Sequence, residues 1–336
     1  DHFNPVIWSG NSTDGRDIVT GHATDFVWIK SRSNATNHYL FDKLRGVNKQ
    51  LLSNATSAEA TYGTNRMTAF NADGFEVGAF DETNGSGKTF VGWSWKAGGT
   101  AVSNTDGSIT SSVSANPTAG FSIVSYTGTG SNATIGHGLG VAPSMIIQKN
   151  RIDGEPWWVY HSAIGAGGQL RLNDNSGQGS DGGVLWNNTA PTSTVFSVGT
   201  NGGTNGPGDA CIAYCFANVA GHLHAGSYVG NGSSGDDAPF INCGFRPAFV
   251  LIKKISAAGK WVLMDTTRGL YNVMSGTNAL YPHLADAEGT DASNRELDFL
   301  SNGFKVRNAG GDANGSGQTI GYIAFAEQPA KYANAR

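Results

Sequence analysis

Short apolar blocks alternate with polar, glycine-rich stretches along the whole chain. In blocks such as Asp73–Gly78, apolar and polar residues alternate with the two-residue period of a strand that has one buried face. Other blocks, such as Asp25–Arg32 and Ala248–Lys254, are almost continuously apolar and rich in β-branched and aromatic residues, which predicts central strands of a sandwich. No window of about 11 residues has a convincing helical period. The pattern therefore predicts an all-β fold.

One pair of strand patterns occurs three times. Each copy has an alternating strand, a polar loop closed by Asn-Gly-x-Gly, and a second strand rich in aromatic and aliphatic residues. The copies are Asp73–Gly78 with Asn84–Trp95, Thr194–Gly199 with Asn205–Phe216, and Asn302–Arg307 with Asn314–Phe325. The Asn-Gly dipeptides lie 121 and 109 positions apart (205 − 84 and 314 − 205), a domain length rather than a solenoid period. We expect three tandem β-sandwich modules of a jelly-roll kind.

The module boundaries follow from these repeats. Residues 1–99 are predicted to form the first module, residues 120–220 the second and residues 221–336 the third. The intervening residues 100–119 are rich in Gly, Ser, Thr and Asn and are predicted to be a linker, with a short hairpin between two sandwiches as the alternative. The join from Ala217 to His224 is short, so the second and third modules are expected to pack closely.

Composition narrows the class of protein. Gly makes up 48 of 336 residues, about twice the usual share, while charged residues are only 14%. This is typical of β-rich, loop-rich extracellular proteins. The net charge of −4 does not indicate nucleic-acid binding, which is typical of basic proteins. No apolar run is long enough to insert into a membrane. Cys211, Cys215 and Cys243 are predicted to be buried free thiols, because the first two are badly placed for a bridge.

The segment Gly85–Thr89 resembles the end of a phosphate-binding loop. The full signature needs another glycine where Glu82 stands, and a helix should follow where a strand pattern begins. The two sibling loops carry Asp209 and Gln318 in place of Lys88. We therefore interpret these loops as hairpin turns and predict no nucleotide site.

Paired carboxylates suggest a second kind of chemistry. The charged residues are Asp42, Arg45 and Glu59 in the first module and Asp265, Arg268 and Glu288 in the third. A glycoside hydrolase uses two carboxylates at short range, but the second module has His161 and Ile164 at the matching positions. An Asp–Arg pair that fixes a turn before a glycine is the favoured interpretation.

Metal sites find little support in the sequence. His222 and His224 have ligand spacing but lack a third ligand, and acidic loops such as Gly235–Asp237 and Asp286–Glu288 match no defined calcium loop. The sequence thus predicts no catalytic residue, no cofactor and no metal, and the chain is not expected to be an enzyme.

The remaining candidates are aromatic. Trp157, Trp158 and Tyr160 lie close together on one predicted strand. Aromatic side chains stack on sugar rings and also anchor interfaces. These three residues are candidate ligand or interface contacts, with core packing as the simpler interpretation.

Several segments resemble uncharacterised virion structural and tail-fibre-like proteins of marine and cyanobacterial tailed phages. The segments are Asp25–Arg32, Trp93–Thr110, Phe121–Gly130, Trp186–Gly199, Ala213–Ala217, Gly244–Lys253 and Lys331–Arg336. The resemblance implies a virion component built of repeated lectin-like sandwiches, and it transfers no catalytic residue. Relatives often have sequence before this region, which fits a sequence that starts at Asp1 without a methionine.

The function implied by this resemblance is a bacteriophage structural protein on the particle surface, in a tail fibre or another host-contacting appendage. Its expected partners are other virion proteins, further copies of itself in a homo-oligomer such as a trimer, and a host surface glycan. A head decoration protein is the first alternative. A polysaccharide depolymerase and a bacterial surface adhesin are the others.

Overall fold

The computed structural model of the protein describes residues 2–63, 65–269, 278–289 and 296–327. The strands of the first module are β1 (Phe3–Ser9), β2 (Arg16–Val19), β3 (Phe26–Ser31), β4 (His38–Asp42), β5 (Lys49–Leu52), β6 (Ala60–Thr61), β7 (Met67–Phe70), β8 (Gly74–Val77) and β9 (Thr89–Trp95). Those of the second are β10 (Val102–Asn104), β11 (Ser111–Asn116), β12 (Phe121–Thr127), β13 (Ala133–Gly136), β14 (Met145–Asn150), β15 (Trp158–His161), β16 (Gly168–Arg171), β17 (Gly179–Ser180), β18 (Val195–Val198) and β19 (Ala210–Phe216). Those of the third are β20 (Leu223–Val229), β21 (Phe240–Asn242), β22 (Pro247–Lys254), β23 (Trp261–Asp265), β24 (Leu297–Leu300), β25 (Gly303–Val306) and β26 (Thr319–Ala326).

Helical structure in the described residues is limited to short turns. These are α1 (Asp81–Asn84), α2 (Gly202–Asn205), α3 (Gly311–Asn314) and a 3-10 turn at Gly235–Asp237. The all-β prediction is confirmed. The segment Lys331–Arg336, which contributes to the resemblance, lies outside the described residues.

Each module is a sandwich of one large and one small antiparallel sheet. The large sheets have the strand orders β1-β9-β3-β4-β5-β6, β10-β11-β12-β19-β14-β15-β16-β17 and β20-β26-β22-β23. The small sheets are β2-β8-β7, β13-β18 and β21-β25-β24. The repeated strand pair therefore spans both sheets: β8 belongs to the small sheet and β9 to the large one, and α1 connects them.

The Asn-Gly-x-Gly loop is consequently a crossover between sheets, and the hairpin interpretation was wrong. Its asparagine explains why the motif repeats. The buried side-chain amide of Asn205 donates to the carbonyl oxygens of Ser131 at 2.6 Å and Gly199 at 2.7 Å, and its oxygen accepts from the backbone N–H of Thr129 at 2.8 Å. Asn84 and Asn314 make equivalent bonds in the other modules. One side chain thus joins the ends of both sheets.

A glycine faces each of these asparagines because the two backbones approach closely. A β-carbon on Gly128 would lie 2.3 Å from the carbonyl oxygen of Gly206. The same collision would occur at Gly10 and Gly230, at 2.1 and 2.4 Å from the matching carbonyl oxygens. No other residue type fits without moving the crossover.

Residues 100–119 are not the linker that the sequence predicted; the hairpin that was left open as the alternative is present, as part of the second module. They contain β10 and β11, which form a hairpin, and β11 pairs with β12 from Ser112↔Ser125 to Asn116↔Phe121. The hairpin extends the large sheet of the second module. Its small polar residues suit an exposed edge strand, and composition alone does not separate such a strand from a linker.

Both faces of each large sheet are buried, which explains the continuous apolar runs. In β3, Val27 and Ile29 point into the sandwich, whereas Phe26 and Trp28 point into a separate core shared by all three modules. β14 and β22 alternate in the same way. The three modules therefore pack around one common core, with their small sheets outside.

Aromatic rings form a continuous layer in this common core. Phe26 of the first module stacks on Tyr214 of the second, with ring centroids 4.3 Å apart. Phe3 stacks on Phe325 of the third module at 4.8 Å, and Phe216 meets Phe325 edge-on at 5.7 Å. A cavity of about 20 Å³ among these residues is lined by aliphatic and aromatic side chains. It is large enough for one water molecule but offers that water few hydrogen-bond partners.

Candidate functional site

The contact region between two neighbouring modules is called a joint here. The joints contain the paired carboxylates and arginines that the sequence analysis identified. One backbone bond recurs at each joint: the N–H of Glu59 donates to Arg151 at 2.8 Å, that of Gln178 to Ile255 at 2.7 Å, and that of Glu288 to Arg32 at 2.8 Å. The first bond joins modules one and two, the next joins two and three, and the last joins three and one. The chain therefore closes a ring with approximate threefold symmetry.

The joint between modules one and two is a buried ionic network. The guanidinium of Arg45 donates to Asp42 at 2.5 Å and to Glu59 at 3.2 Å, and Tyr214 of the second module donates its hydroxyl to Asp42 at 2.7 Å. Arg151 adds a bidentate pair with Glu59 at 2.8 and 2.9 Å. This planar, two-bond geometry is the strong form of an arginine–carboxylate contact.

The electrostatics of this joint favour the ionised forms. Burial alone would raise the pKa of Glu59, but the hydrogen bonds and charges of Arg151 and Arg45 outweigh it and lower that pKa. Burial alone would lower the pKa of Arg45, but Asp42, Tyr214 and Glu59 outweigh it and raise that pKa. Glu59 is therefore a carboxylate held by two arginines.

The joint between modules three and one repeats this arrangement. Arg268 donates to Asp265 at 2.6 Å, the indole N–H of Trp93 donates to the same carboxylate at 2.9 Å, and Arg32 forms a bidentate pair with Glu288 at 2.5 and 3.2 Å. Trp93 and Tyr214 occupy equivalent places in their modules, nine residues after Asn84 and Asn205. The indole of Trp93 and the phenol of Tyr214 thus both donate a hydrogen bond to the buried aspartate of the neighbouring module.

The joint between modules two and three is neutral at every one of these places. It has His161, Ile164, Gln178, Ile255 and Ile323 where the others have Asp, Arg, Glu, Arg and the aromatic donor. His161 Nε2 lies 3.2 Å from the carbonyl oxygen of Tyr322, and burial lowers its pKa. Five positions change together, because any single charge left alone in this interior would be costly.

The Asp–Arg pairs were interpreted from the sequence as turn-fixing, and the geometry agrees. The backbone N–H of Arg45 donates to Asp42 at 2.9 Å, and that of Arg268 donates to Asp265 at 3.1 Å. Sequence reasoning missed that Arg32, Arg151, Tyr214 and Trp93 reach across to these pairs. A signal existed, since Arg32 and Arg151 align with Ile255 and only the module facing Ile255 lacks the acids.

The candidate aromatic residues are all buried, so none is an exposed platform for a ligand. Trp157 lies in the common core, and its indole N–H donates to the carbonyl oxygen of Leu52 in the first module at 2.7 Å. Trp158 and Tyr160 lie in the core of the second sandwich. Core packing, the simpler interpretation, describes all three residues, and Trp157 in addition contacts another module of the same chain. Successive side chains of a strand point to opposite faces of its sheet, and both faces of each large sheet are covered, so neighbouring residues are all buried.

A buried lysine recurs in each module near the end of the second long strand. The amines of Lys30, Lys149 and Lys253 each donate to two backbone carbonyl oxygens at 2.5 to 3.0 Å. Burial lowers the pKa of each to about 8. These amines close loops, and Lys253 also binds Asn175 across the neutral joint.

The other candidates have structural partners. Lys88 pairs with Asp81 next to the crossover, and β9 follows where a nucleotide loop would need a helix. His222 packs against the ring of His2 with centroids 5.4 Å apart, whereas His224 Nδ1 lies 2.8 Å from the hydroxyl of Tyr322. The three cysteines are buried free thiols, as predicted.

The described part of the chain contains no group of three or more histidine, cysteine or acidic residues arranged to hold a metal ion. It also contains no helix with the length and apolar character needed to cross a membrane.

Comparison with known proteins bears on this architecture. A family model described as Domain of unknown function (DUF7483) matches residues 1–329. The chain belongs to this family. The DUF7483 match extends over all three sandwiches as one unit, in keeping with a ring whose members share a core. No curated protein and no solved structure matches the chain.

Proposed function

We propose that the protein is a structural component of a tailed-phage particle, located in a tail fibre or another host-contacting appendage. The observation that carries this proposal is the closed ring, in which three sandwiches share an aromatic core and three equivalent backbone bonds. Shared core packing of this kind holds the three sandwiches together, while the three cysteines stay free thiols. The resemblance of several segments to virion proteins gives the class of particle.

The ring also suggests how the chain would be mounted. Trimeric fibres have a threefold axis, and one chain of this protein already has approximate threefold symmetry. We propose that one copy occupies such an axis and contacts each partner subunit through an equivalent module. The homotrimer expected from the sequence is the alternative assembly, and both place the protein among other virion proteins.

The loops that follow β1, β12 and β20 are the proposed contact regions. They run from Gly10, Gly128 and Gly230, are rich in Asn, Ser and Gly, and are anchored by the three crossover asparagines. Repeated shallow contacts to host glycans or proteins gain strength from being made several times. A rigid ring holds such loops at fixed spacing.

A head decoration protein is the second candidate, and edge strands favour it. Val102 on the edge strand β10 is 65% exposed, and Val229 at the end of the edge strand β20 is 62% exposed. Exposed apolar side chains on sheet edges suit docking to a capsid surface. A depolymerase is less favoured, because the paired carboxylates are held in buried ion pairs.

Immunogold labelling of purified particles with antibody against the chain tests the proposal. Label on the tail or its fibres is the expected result. Label spread over the head would replace the fibre assignment with the decoration protein, and unlabelled particles would contradict both. Light scattering of the purified chain separates the assemblies, since a monomer supports the mounting of a single copy and a trimer supports the homotrimer.

A further inference from the structure

One of the three joints is closed by non-covalent contacts alone. Modules one and two are consecutive in the chain, and so are modules two and three, where the short segment Ala217–His224 makes the connection. Modules three and one are not consecutive, so the ring closes where they meet. These two modules can separate without stretching a connecting segment, because both stay attached to module two.

The other two joints each contain a tryptophan that bonds across the contact. The indole N–H of Trp157 donates to the carbonyl oxygen of Leu52 at 2.7 Å, between modules two and one. The indole N–H of Trp261 donates to the carbonyl oxygen of Arg171 at 2.8 Å, between modules three and two. An indole N–H is a donor only and does not titrate, so these two bonds do not respond to acid.

A histidine occupies this place at the joint between modules three and one. His38 pairs with Lys30 in the sheet as Trp261 pairs with Lys253. Its Nε2 faces the carbonyl oxygen of Tyr281 in module three, without a hydrogen bond of normal geometry. The contact that closes the ring therefore contains a side chain that can take up a proton near neutral pH.

The packing around His38 accommodates its neutral ring. The side chain is fully buried, and its Nδ1 accepts the indole N–H of Trp28 at 2.9 Å. The ring proton is consequently on Nε2. A second proton, on Nδ1, would point at the indole N–H, and Trp28 would lose its acceptor inside the core. The closed joint thus excludes the charged form of His38.

Positive groups on both sides of the joint act in the same direction. Lys30 is the neighbour of His38 on β3, and His283 and Arg268 approach from module three. Burial, followed by Lys30, His283 and Arg268, lowers the pKa of His38 well below 6.5. A proton on His38 would therefore meet like charge from across the joint, which favours separation of the two modules.

The acidic groups of this joint already have partners. Asp265 pairs with Arg268 at 2.6 Å, and Glu288 pairs with Arg32 at 2.5 Å. Neither carboxylate is free to balance a charge on His38.

His283 adds a second titratable group on the side of module three. Burial, Lys253 and Lys260 lower its pKa to about 4, although Asp312 and Asp174 act in the opposite direction. It therefore also favours the neutral, closed joint over a charged one.

The histidine of the neutral joint is placed differently. His161 Nδ1 accepts the backbone N–H of Ala163 at 3.1 Å within its own turn, and its Nε2 faces Tyr322 across the joint. A proton added at Nδ1 disturbs that turn and leaves the contact of Nε2 with module three in place. Burial is what lowers the pKa of His161, whereas cations of module three add to burial at His38.

We propose that the ring opens in acid, and that it opens first at the joint between modules three and one. Opening brings His38 into water, where it takes up a proton, and frees Trp28 from a charged neighbour. It also separates Phe3 from Phe249 and Phe325, whose rings lie 5.5 and 4.8 Å from it in the closed ring. The acid form thus presents an apolar surface that the closed form covers.

This device does not depend on the virion proposal, because it concerns the isolated chain. Hydrogen exchange of backbone amides tests it, since each joint contains one equivalent amide: Glu59, Gln178 or Glu288. Exchange of the full chain is measured at pH 7.5 and 5.0, and each rate is divided by the intrinsic rate at that pH. The three amides then report separately on the three joints.

The expected result is a loss of protection at Glu288 that Glu59 and Gln178 do not share. His38 takes up its proton with the ordinary pKa of 6.5 once the joint is open, so opening should be favoured about 30-fold more at pH 5.0 than at pH 7.5. Protection of Glu288 should fall by at least about this factor, and that of the other two amides by much less.

Two single variants connect this change to His38. His38→Gln keeps an acceptor for Trp28 and a donor for Tyr281 but does not titrate, so it should reduce the pH-dependent change at Glu288 at least about tenfold. His137→Gln replaces a buried histidine inside module two, away from the joints, and should leave the change at Glu288 as in the wild type.

A double variant covers the case in which His38→Gln does not fold. Trp28→Leu with His38→Trp copies Leu251 and Trp261 of module three, which form the same contact without a titrating group. It should retain protection of the Glu288 amide at pH 5.0.

Three results would overturn the proposal. The first is unchanged protection of Glu288 at pH 5.0. The second is an equal loss of protection at Glu59, Gln178 and Glu288, which would mean that acid unfolds the whole ring. The third is a wild-type response to pH in a folded variant that lacks His38.

Discussion

Asp42 and Arg45 illustrate how single residues maintain the ring. Both side chains are almost fully buried, and each is the main counter-charge of the other. The matching residues of the second module, His161 and Ile164, show that the same turn forms without ions. Equivalent turns of the same chain are therefore built with a buried ion pair in the first module and with neutral residues in the second.

Replacing Arg45 alone should therefore be far more damaging than replacing the pair. Arg45→Ile leaves Asp42 charged and buried, and we expect a loss of about 3–5 kcal/mol in the free energy of unfolding. The double variant Asp42→His with Arg45→Ile copies the second module and should recover much of that loss. Urea unfolding of the single and double variants measures both. A double variant as unstable as Arg45→Ile would contradict the argument.

Buried histidines should make the fold sensitive to acid. The pKa of His22, His222 and His283 is lowered from 6.5 to about 4, mainly by burial. As pH falls below 6.5, the unfolded chain takes up these protons first, so stability falls between pH 6.5 and 4. Each histidine contributes on the order of 3 kcal/mol to this loss.

The variant His222→Gln separates this effect from the titration of carboxylates. It should be less sensitive to pH over the same interval, which unfolding midpoints at pH 7.0, 5.5 and 4.5 would show. A variant with the same pH dependence as the wild type would rule out His222 as a contributor.

The crossover is the element that defines the repeat. Its asparagine is fully buried, and it is satisfied by backbone groups from two different loops. An interaction of this kind holds the large and small sheets of a module together at one end. It explains why Asn-Gly recurs while the neighbouring Lys88, Asp209 and Gln318 vary.

Removing this asparagine should destabilise its module. Asn205→Ala deletes two donors and one acceptor and leaves the carbonyl oxygens of Ser131 and Gly199 unsatisfied, so we expect a loss of about 2–4 kcal/mol. The exposed Asn132→Ala serves as a control in the same module. Denaturant unfolding gives both values, and a loss below about 1 kcal/mol in Asn205→Ala would refute the role assigned to the crossover.

The ring as a whole should unfold as one unit. The common core is built from residues of all three modules, and each pair of modules shares aromatic contacts. Losing one module would expose the inner faces of the other two. We therefore expect a single calorimetric transition with equal calorimetric and van't Hoff enthalpies. Resolved transitions for one module at a time would show that the common core contributes little.

The sequence by itself predicted the strands, the three modules and the repeated Asn-Gly-x-Gly motif, although not that this motif is a crossover between sheets. Alternation and continuous apolar runs report directly whether one or both faces of a strand are covered. They do not report what covers them, because periodicity is a local property. The sequence therefore predicted β3, β14 and β22 as central strands, yet gave no sign that their second faces meet in one core.

Only the tertiary structure decided the ring and the joints between modules. Arg151 and Glu59 are 92 positions apart, and Arg32 and Glu288 are 256 apart. Such pairs form only once three sheets have packed face to face. The same packing buries Trp157, and the residues predicted as a linker form a hairpin of the second large sheet. Long-range contacts of this kind follow from how faces and edges meet, which no local pattern specifies.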